Sequence, residues 1–267
     1  MNPNFFESKK GKLAWYSTGS GKPLLHLHGW GSNSKVMMPM AKQLQDVRKS
    51  YLVDFPGFGN SPEPTSAWGI DEFSDIIEDF VDEMFQETSF DLIVHSFGAR
   101  VAIKLLTRPS VSSKIDKVVF TGAAGLKPKR SISFYMKKYT AKTLKLPFSL
   151  LPTNLREREL KNLRETSLWK SLGSSDYQRL SGVMRETFVA CVNDHLDHLV
   201  PQINHEVLLI WGTNDDATPL EQGKRFNTLL KESALIEIEG GGHYAFLDKP
   251  KQFASILRAY FEPGEKS

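Results

Sequence analysis

Three residues in this chain have the types and settings to carry out nucleophilic chemistry. Ser96 lies in Val94-His95-Ser96-Phe97-Gly98, Asp215 follows Gly212-Thr213-Asn214, and His243 follows Glu239-Gly240-Gly241-Gly242. A serine hydroxyl is a poor nucleophile at neutral pH unless a neighbouring base removes its proton. An imidazole can be that base, returning the proton later to a leaving group, and a carboxylate can hold the imidazole's tautomer. Each candidate sits just after an apolar, β-branched run, so a separate strand end would deliver each one. Asp216 adjoins Asp215. The spacing to Gly212 and Pro219 favours Asp215 as the acid.

The setting of Ser96 adds an electrophilic element. The run Asp91-Leu92-Ile93-Val94 reads as a strand, and Phe97-Gly98-Ala99-Arg100-Val101-Ala102-Ile103 reads as a helix with small residues in its early turns. A sharp strand-to-helix turn would expose the hydroxyl and aim a helix N-terminus at developing negative charge. His28-Gly29-Trp30-Gly31 forms another strand-end loop. Its Trp30 N–H, with the Phe97 N–H, could bind the oxyanion of a tetrahedral intermediate. His28, Gly29 and His95 are the nearby candidates for touching substrate.

The elements that must position these groups follow from hydrophobic spacing. Phe5–Ser8 and Lys12–Ser17, split by Lys9-Lys10-Gly11, read as a hairpin. Leu24–Leu27, Tyr51–Asp54, Asp91–His95, Lys117–Thr121, Val207–Trp211 and Leu235–Ile238 read as further strands. Ile70–Phe85 places Phe73, Ile76, Ile77, Phe80, Val81 and Met84 at helical spacing. Helical stretches between most strands predict βα units on a mostly parallel sheet. Residues 126–204 break this rhythm, being helical in pattern and without a convincing strand. They are expected to form a cap over the strand C-termini, with 1–125 and 205–267 forming the core. The aromatics Phe134, Tyr135, Tyr139, Phe148 and Trp169 either line an acyl pocket there, Tyr135 and Tyr139 touching substrate, or pack within the cap.

Charge is uneven along the chain. The net charge is +3, but residues 126–204 carry 14 Lys and Arg against 7 Asp and Glu. Lys127 to Lys145 holds seven basic residues and no acid. Such a patch would attract an acidic partner through its field, although a solvated helix face would carry the same lysines. A single cysteine, Cys191, allows no internal disulfide, and a reducing cytoplasm is expected. The start Met1-Asn2-Pro3-Asn4 has no signal-peptide pattern, and no apolar run approaches the roughly 18 residues of a membrane span. Asp194, His195, Asp197 and His198 are read as a solvated helix end and not a metal pair. No phosphate-loop, nicotinamide or nucleic-acid motif is present.

These motifs carry a resemblance. His28-Gly29-Trp30-Gly31, Asp54-Phe55-Pro56-Gly57-Phe58-Gly59-Asn60-Ser61, His95-Ser96-Phe97-Gly98 and the Asp215 and His243 settings resemble the α/β-hydrolase fold, in its cap-bearing, carboxylesterase-like enzymes. The resemblance implies an eight-stranded, mostly parallel sheet flanked by helices, with a helical cap inserted after strand six. It implies a serine hydrolase that cleaves small carboxylic esters through an acyl-enzyme, without a cofactor. Asp54 to Ser61 matches the family's structural loop. The first two motifs are also similar to pimeloyl-acyl-carrier-protein methyl ester esterases, which implies an alternative: an esterase or thioesterase whose basic cap docks an acidic acyl carrier protein. A receptor that keeps the triad to sense a small ligand is the alternative from another class. Val94 departs from the elbow pattern G-x-S-x-G and must be accommodated by repacking. Ser96 in place of Asp argues against the haloalkane dehalogenase and epoxide hydrolase relatives.

Overall fold

The computed structural model describes residues 2–128 and 182–262, with isolated positions between them. Eight strands form one sheet: β1 (Asn4–Ser8), β2 (Gly11–Thr18), β3 (Lys22–Leu27), β4 (Arg48–Asp54), β5 (Phe90–His95), β6 (Ile115–Thr121), β7 (Glu206–Gly212) and β8 (Glu232–Ile238). Their order is β1-β2-β4-β3-β5-β6-β7-β8. β1 and β2 pair antiparallel, as do β2 and β4, and every other pairing is parallel. The strands are mostly longer than their apolar runs, because polar residues such as Arg48 and Glu232 continue the ladder at their N-terminal ends.

Helices cover both faces. α1 (Ser34–Gln43) and α8 (Pro250–Phe261) lie on one face, and α2 (Ile70–Phe85), α3 (Gly98–Leu106) and α6 (Leu220–Leu229) on the other. The two-residue strand period sorts side chains between the layers. Leu24, Leu52, Ile93, Val119 and Ile210 join the first face, whereas Leu25, Val53, Leu92, Phe120 and Leu209 join the second. α2 buries Phe73, Ile76, Ile77, Phe80 and Val81, while Met84 packs half-buried at the margin.

Most of the expected cap lies outside the described residues. Its described C-terminal part contains α5 (Gly182–Asn193), which buries Met184, Thr187 and Cys191 against the core. The Leu196 N–H then donates to the Gly125 carbonyl at 2.9 Å, tying this segment to the chain just after β6. The short helices α4 (Pro109–Ser112) and α7 (Ala245–Asp248) complete the described elements used below.

Candidate active site

The C-terminal ends of β3, β5, β6, β7 and β8 converge on one cavity of about 420 Å³. Among the described residues its lining includes Gly29, Trp30, His95, Ser96, Phe97 and His243.

Ser96 stands between β5 and α3 with φ +49°, the left-handed region that an L-residue adopts only under constraint. The turn is tight enough that a Cβ at Gly98 would come within 2.4 Å of the Leu27 carbonyl oxygen. The elbow is pinned from behind by the Ser96 N–H, which donates to the Thr121 carbonyl at 3.1 Å. Val94, where the family pattern has glycine, is fully buried in β5 and pairs with Leu27 and Phe120. The close approaches therefore fall on Gly98 and on Gly29, where a Cβ would lie 2.9 Å from His95 Nδ1 and 3.2 Å from the Ser96 Cβ.

The Asp215 carboxylate is buried, and its Oδ2 lies 2.9 Å from His243 Nδ1. Its Oδ1 accepts the backbone N–H groups of Ala217 at 3.0 Å and Thr218 at 2.8 Å. Thr218 Oγ1 lies 2.9 Å from both Asp215 Oδ2 and the Gly122 carbonyl. Burial opposes ionisation of Asp215, but the hydrogen bonds and charge from His243 and the donors of Thr218 outweigh it and hold the carboxyl below its ordinary range. Asp216 is exposed. Sequence reasoning missed Thr218. Its position three residues after the acid and just before Pro219 was the available signal.

Trp30 and Phe97 flank the nucleophile on the other side. Their ring centroids are 5.1 Å apart, and Trp30 also meets Phe58 at 4.9 Å and Phe188 at 5.2 Å. Phe97 packs on Phe55 and Phe73. Among the described residues neither the Trp30 nor the Phe97 N–H donates to a protein acceptor.

His28 requires a correction. It was expected to touch substrate, but it is fully buried beneath the loop and outside the cavity lining. Its Nδ1 donates to the Gly29 carbonyl at 2.7 Å, and its Nε2 accepts the Phe55 N–H at 2.9 Å. Burial pushes it down to about 4, so the ring is neutral and braces the loop. Gly29 and His95 do line the cavity. Tyr135 and Tyr139 lie outside the described residues.

Arg100, one turn into α3, also lines the cavity. It donates to the carbonyls of Cys191 at 3.0 Å and Asp194 at 2.6 Å, which anchors the end of α5. Its position reads in sequence as an ordinary helical arginine, so burial alone reveals it. Among the described residues no cluster of three metal-ligating side chains exists, and no helix is long and apolar enough to cross a membrane.

Known proteins of similar sequence and structure agree with this architecture. The chain is 24% identical over 261 residues to a pimeloyl-[acyl-carrier protein] methyl ester esterase of Aliivibrio fischeri (strain MJ11), covering 93% of this chain and 96% of that protein. It is 22% identical over 255 residues to the AB hydrolase superfamily protein YisY of Bacillus subtilis (strain 168), covering 91% and 92%. The solved esterase EaEST from Exiguobacterium antarcticum superposes with a TM-score of 0.72 at 20% identity, over 97% of this chain and 98% of that one. The family model described as the alpha/beta hydrolase fold matches residues 22–250, and the chain belongs to that family.

Proposed function

We propose that the protein is a serine hydrolase of carboxylic esters, with Ser96, His243 and Asp215 as its triad. The observation that carries this reading is the 2.9 Å Asp215–His243 pair, whose imidazole lines the same cavity as a serine held at positive φ. With Nδ1 committed to Asp215, His243 has Nε2 left to take the Ser96 proton as Oγ adds to the ester carbonyl carbon. The Trp30 and Phe97 N–H groups stabilise the resulting oxyanion. As the carbon–oxygen bond to the alcohol breaks, His243 returns the proton and the alcohol leaves. Water then gives a proton to His243 and adds to the acyl-Ser96 carbonyl. Departure of Ser96 Oγ, reprotonated by His243, frees the acid.

The test is hydrolysis of p-nitrophenyl esters from acetate to decanoate by wild type and Ser96→Ala. Wild-type turnover should fall by at least about 10³-fold in the variant, with thermal stability retained. Near-native activity in Ser96→Ala would exclude this nucleophile.

A narrower reading has two supports: relatives named as pimeloyl-[acyl-carrier protein] methyl ester esterases, and the basic run from Lys127 to Lys145. An acidic carrier protein docked on that run would present its acyl ester to Ser96. Reversing charge at Lys137, Lys138 and Lys142 should then weaken turnover of the carrier-linked ester and spare small esters, with the gap closing at high salt. Equal losses on both substrates would refute carrier docking.

A further inference from the structure

We propose that His95 is a positioning residue that holds the backbone of the catalytic base against the nucleophile strand, an inference that rests on the hydrolase reading above. His95 is the last residue of β5 and immediately precedes Ser96. Its side chain is fully buried, and Nε2 lies 3.0 Å from the carbonyl oxygen of His243. A carbonyl can only accept, so Nε2 carries the proton and Nδ1 carries the lone pair. Nδ1 has no hydrogen-bond partner and faces the close approach of Gly29. Burial pushes the ring down to about 3, with the charge of His243 acting in the same direction. The ring is therefore neutral in a single tautomer, and it leaves the positive charge of turnover to His243. The titratable groups acting on it are His243, Asp215 and His28.

This contact matters because of the loop from which His243 hangs. Gly240, Gly241 and Gly242 precede the base, and three glycines leave a backbone with many accessible conformations. Four bonds hold the loop to its own side of the site: the Gly240 N–H to Thr213 Oγ1 at 2.9 Å, the Gly241 N–H to the Ile238 carbonyl at 3.1 Å, the Asn214 N–H to the Gly241 carbonyl at 2.8 Å, and the Gly242 N–H to Asp248 Oδ2 at 2.7 Å. The His95 bond runs across the site, from the nucleophile's strand to the base residue's own peptide. The His95 ring also lies 4.7 Å from the His243 ring and 4.8 Å from Tyr244. One buried imidazole thus touches the oxyanion loop at Gly29, adjoins the nucleophile and grips the base. A base displaced by about 1 Å can lose on the order of 10²-fold in rate, so a fixed link at this point has catalytic value.

The test compares His95→Leu, which keeps bulk and removes the donor, with His95→Gln, whose amide nitrogen reaches the position of Nε2, on a small p-nitrophenyl ester. His95→Leu should lower kcat by about 10- to 100-fold with KM changed less than about twofold. His95→Gln should recover at least about fivefold of that loss. In an Asp215→Asn background the Leu substitution should cost much less, because both changes act through His243. The NMR resonance of the His243 Nδ1 proton should broaden or shift in Leu and return in Gln. If His95→Leu does not fold, His95→Asn replaces it, since its shorter amide cannot reach the carbonyl. Gln exceeding Asn in kcat then supports the proposal. Leu equal to wild type, or the donor and non-donor variants losing equally, overturns it. Absence of Ser96-dependent turnover would instead sink the hydrolase reading, and the Nδ1 resonance would still test the His95 link.

Discussion

The Trp30–Phe97 side of the site, on the ends of β3 and β5, is packed mainly by rings over the hydrogen-bonded His28, whereas the Asp215–His243 side, on the ends of β6, β7 and β8, is held by hydrogen bonds. Around Trp30 and Phe97 the contacts are edge-to-face and tilted aromatic pairs, each worth about 0.5–1.5 kcal/mol beyond simple burial. Around Asp215 every contact described above is a donor aimed at a carboxylate oxygen. The contrast follows the work required of each side. In the proposed oxyanion role a backbone N–H must stay fixed and dry but never changes charge, so apolar packing suits it. On the proposed mechanism the Asp215–His243 pair gains and loses a proton in each turnover, and an apolar wall would penalise the charged form.

The largest effect that separates the two sides is expected from Asp215→Asn. Its amide can present an NH₂ to His243 Nδ1 and so favour the tautomer with its proton on Nε2, facing Ser96. We expect kcat to fall on the order of 10³- to 10⁴-fold with little change in folding. Ester hydrolysis and thermal melting, measured together, check this. Retention of more than a tenth of kcat would mean that the polar side does not carry the charge.

Acid should divide the two sides next. His26, His28 and His95 are buried and pushed down to about 3, 4 and 3 respectively, burial being the main cause in each. Their folded pKa values lie below the unfolded value near 6.5, so the unfolded chain takes up protons first. Their stabilising contribution is complete above about pH 6.5 and is lost as pH falls toward about 4 for His28 and about 3 for His26 and His95. At pH 5.5 each should cost about 1.4 kcal/mol, or about 4 kcal/mol together. Asp215, held below its usual range, stays ionised there. Urea midpoints at pH 7.5 and 5.5 measure the total. Hydrogen exchange resolves the sides: the Phe55 amide, bonded to His28 Nε2, should lose protection sooner than the Asn214 amide, bonded to the Gly241 carbonyl. Equal loss at both amides would remove the contrast.

The sequence made the sheet legible because each strand is an apolar run closed by glycine or a polar residue, and all eight runs are strands in the structure. Ser96, Asp215 and His243 were legible as candidates because chemistry-bearing residues followed those runs. His28 was misread for a physical reason. A histidine beside glycine at a strand end has the same sequence whether it faces the cavity or the core, and only the Phe55 N–H and Gly29 carbonyl settle its direction. Val94 looked like a steric problem because the family pattern puts glycine there. The crowding falls elsewhere, at Gly98 against the Leu27 carbonyl and at Gly29 against His95. Arg100 escaped notice because its partners at the end of α5 are about 90 residues away in sequence, and Thr218 because its place three residues after Asp215 does not reveal that its hydroxyl joins that acid to Gly122, 96 residues away.

Thr218 offers the finest test of the comparison, because its hydroxyl is the polar side's smallest component. It has one proton and two acceptors at 2.9 Å, Asp215 Oδ2 and the Gly122 carbonyl, and its oxygen lies 3.3 Å from His243 Nδ1. Thr218→Val keeps the branched shape and removes all three contacts. Asp215 retains the Ala217 and Thr218 backbone donors and His243, so its pKa should rise only part of the way back toward the ordinary value. Loss of one net hydrogen bond predicts a fall in kcat/KM of about 3- to 10-fold, with Thr218→Ser restoring most of it. The measurement is kcat/KM for both variants alongside their melting temperatures. If Thr218→Val lowers the melting temperature but leaves kcat/KM intact, the hydroxyl braces the β6–β7 junction through Gly122. Polar tuning would then be confined to Asp215 and His243 themselves.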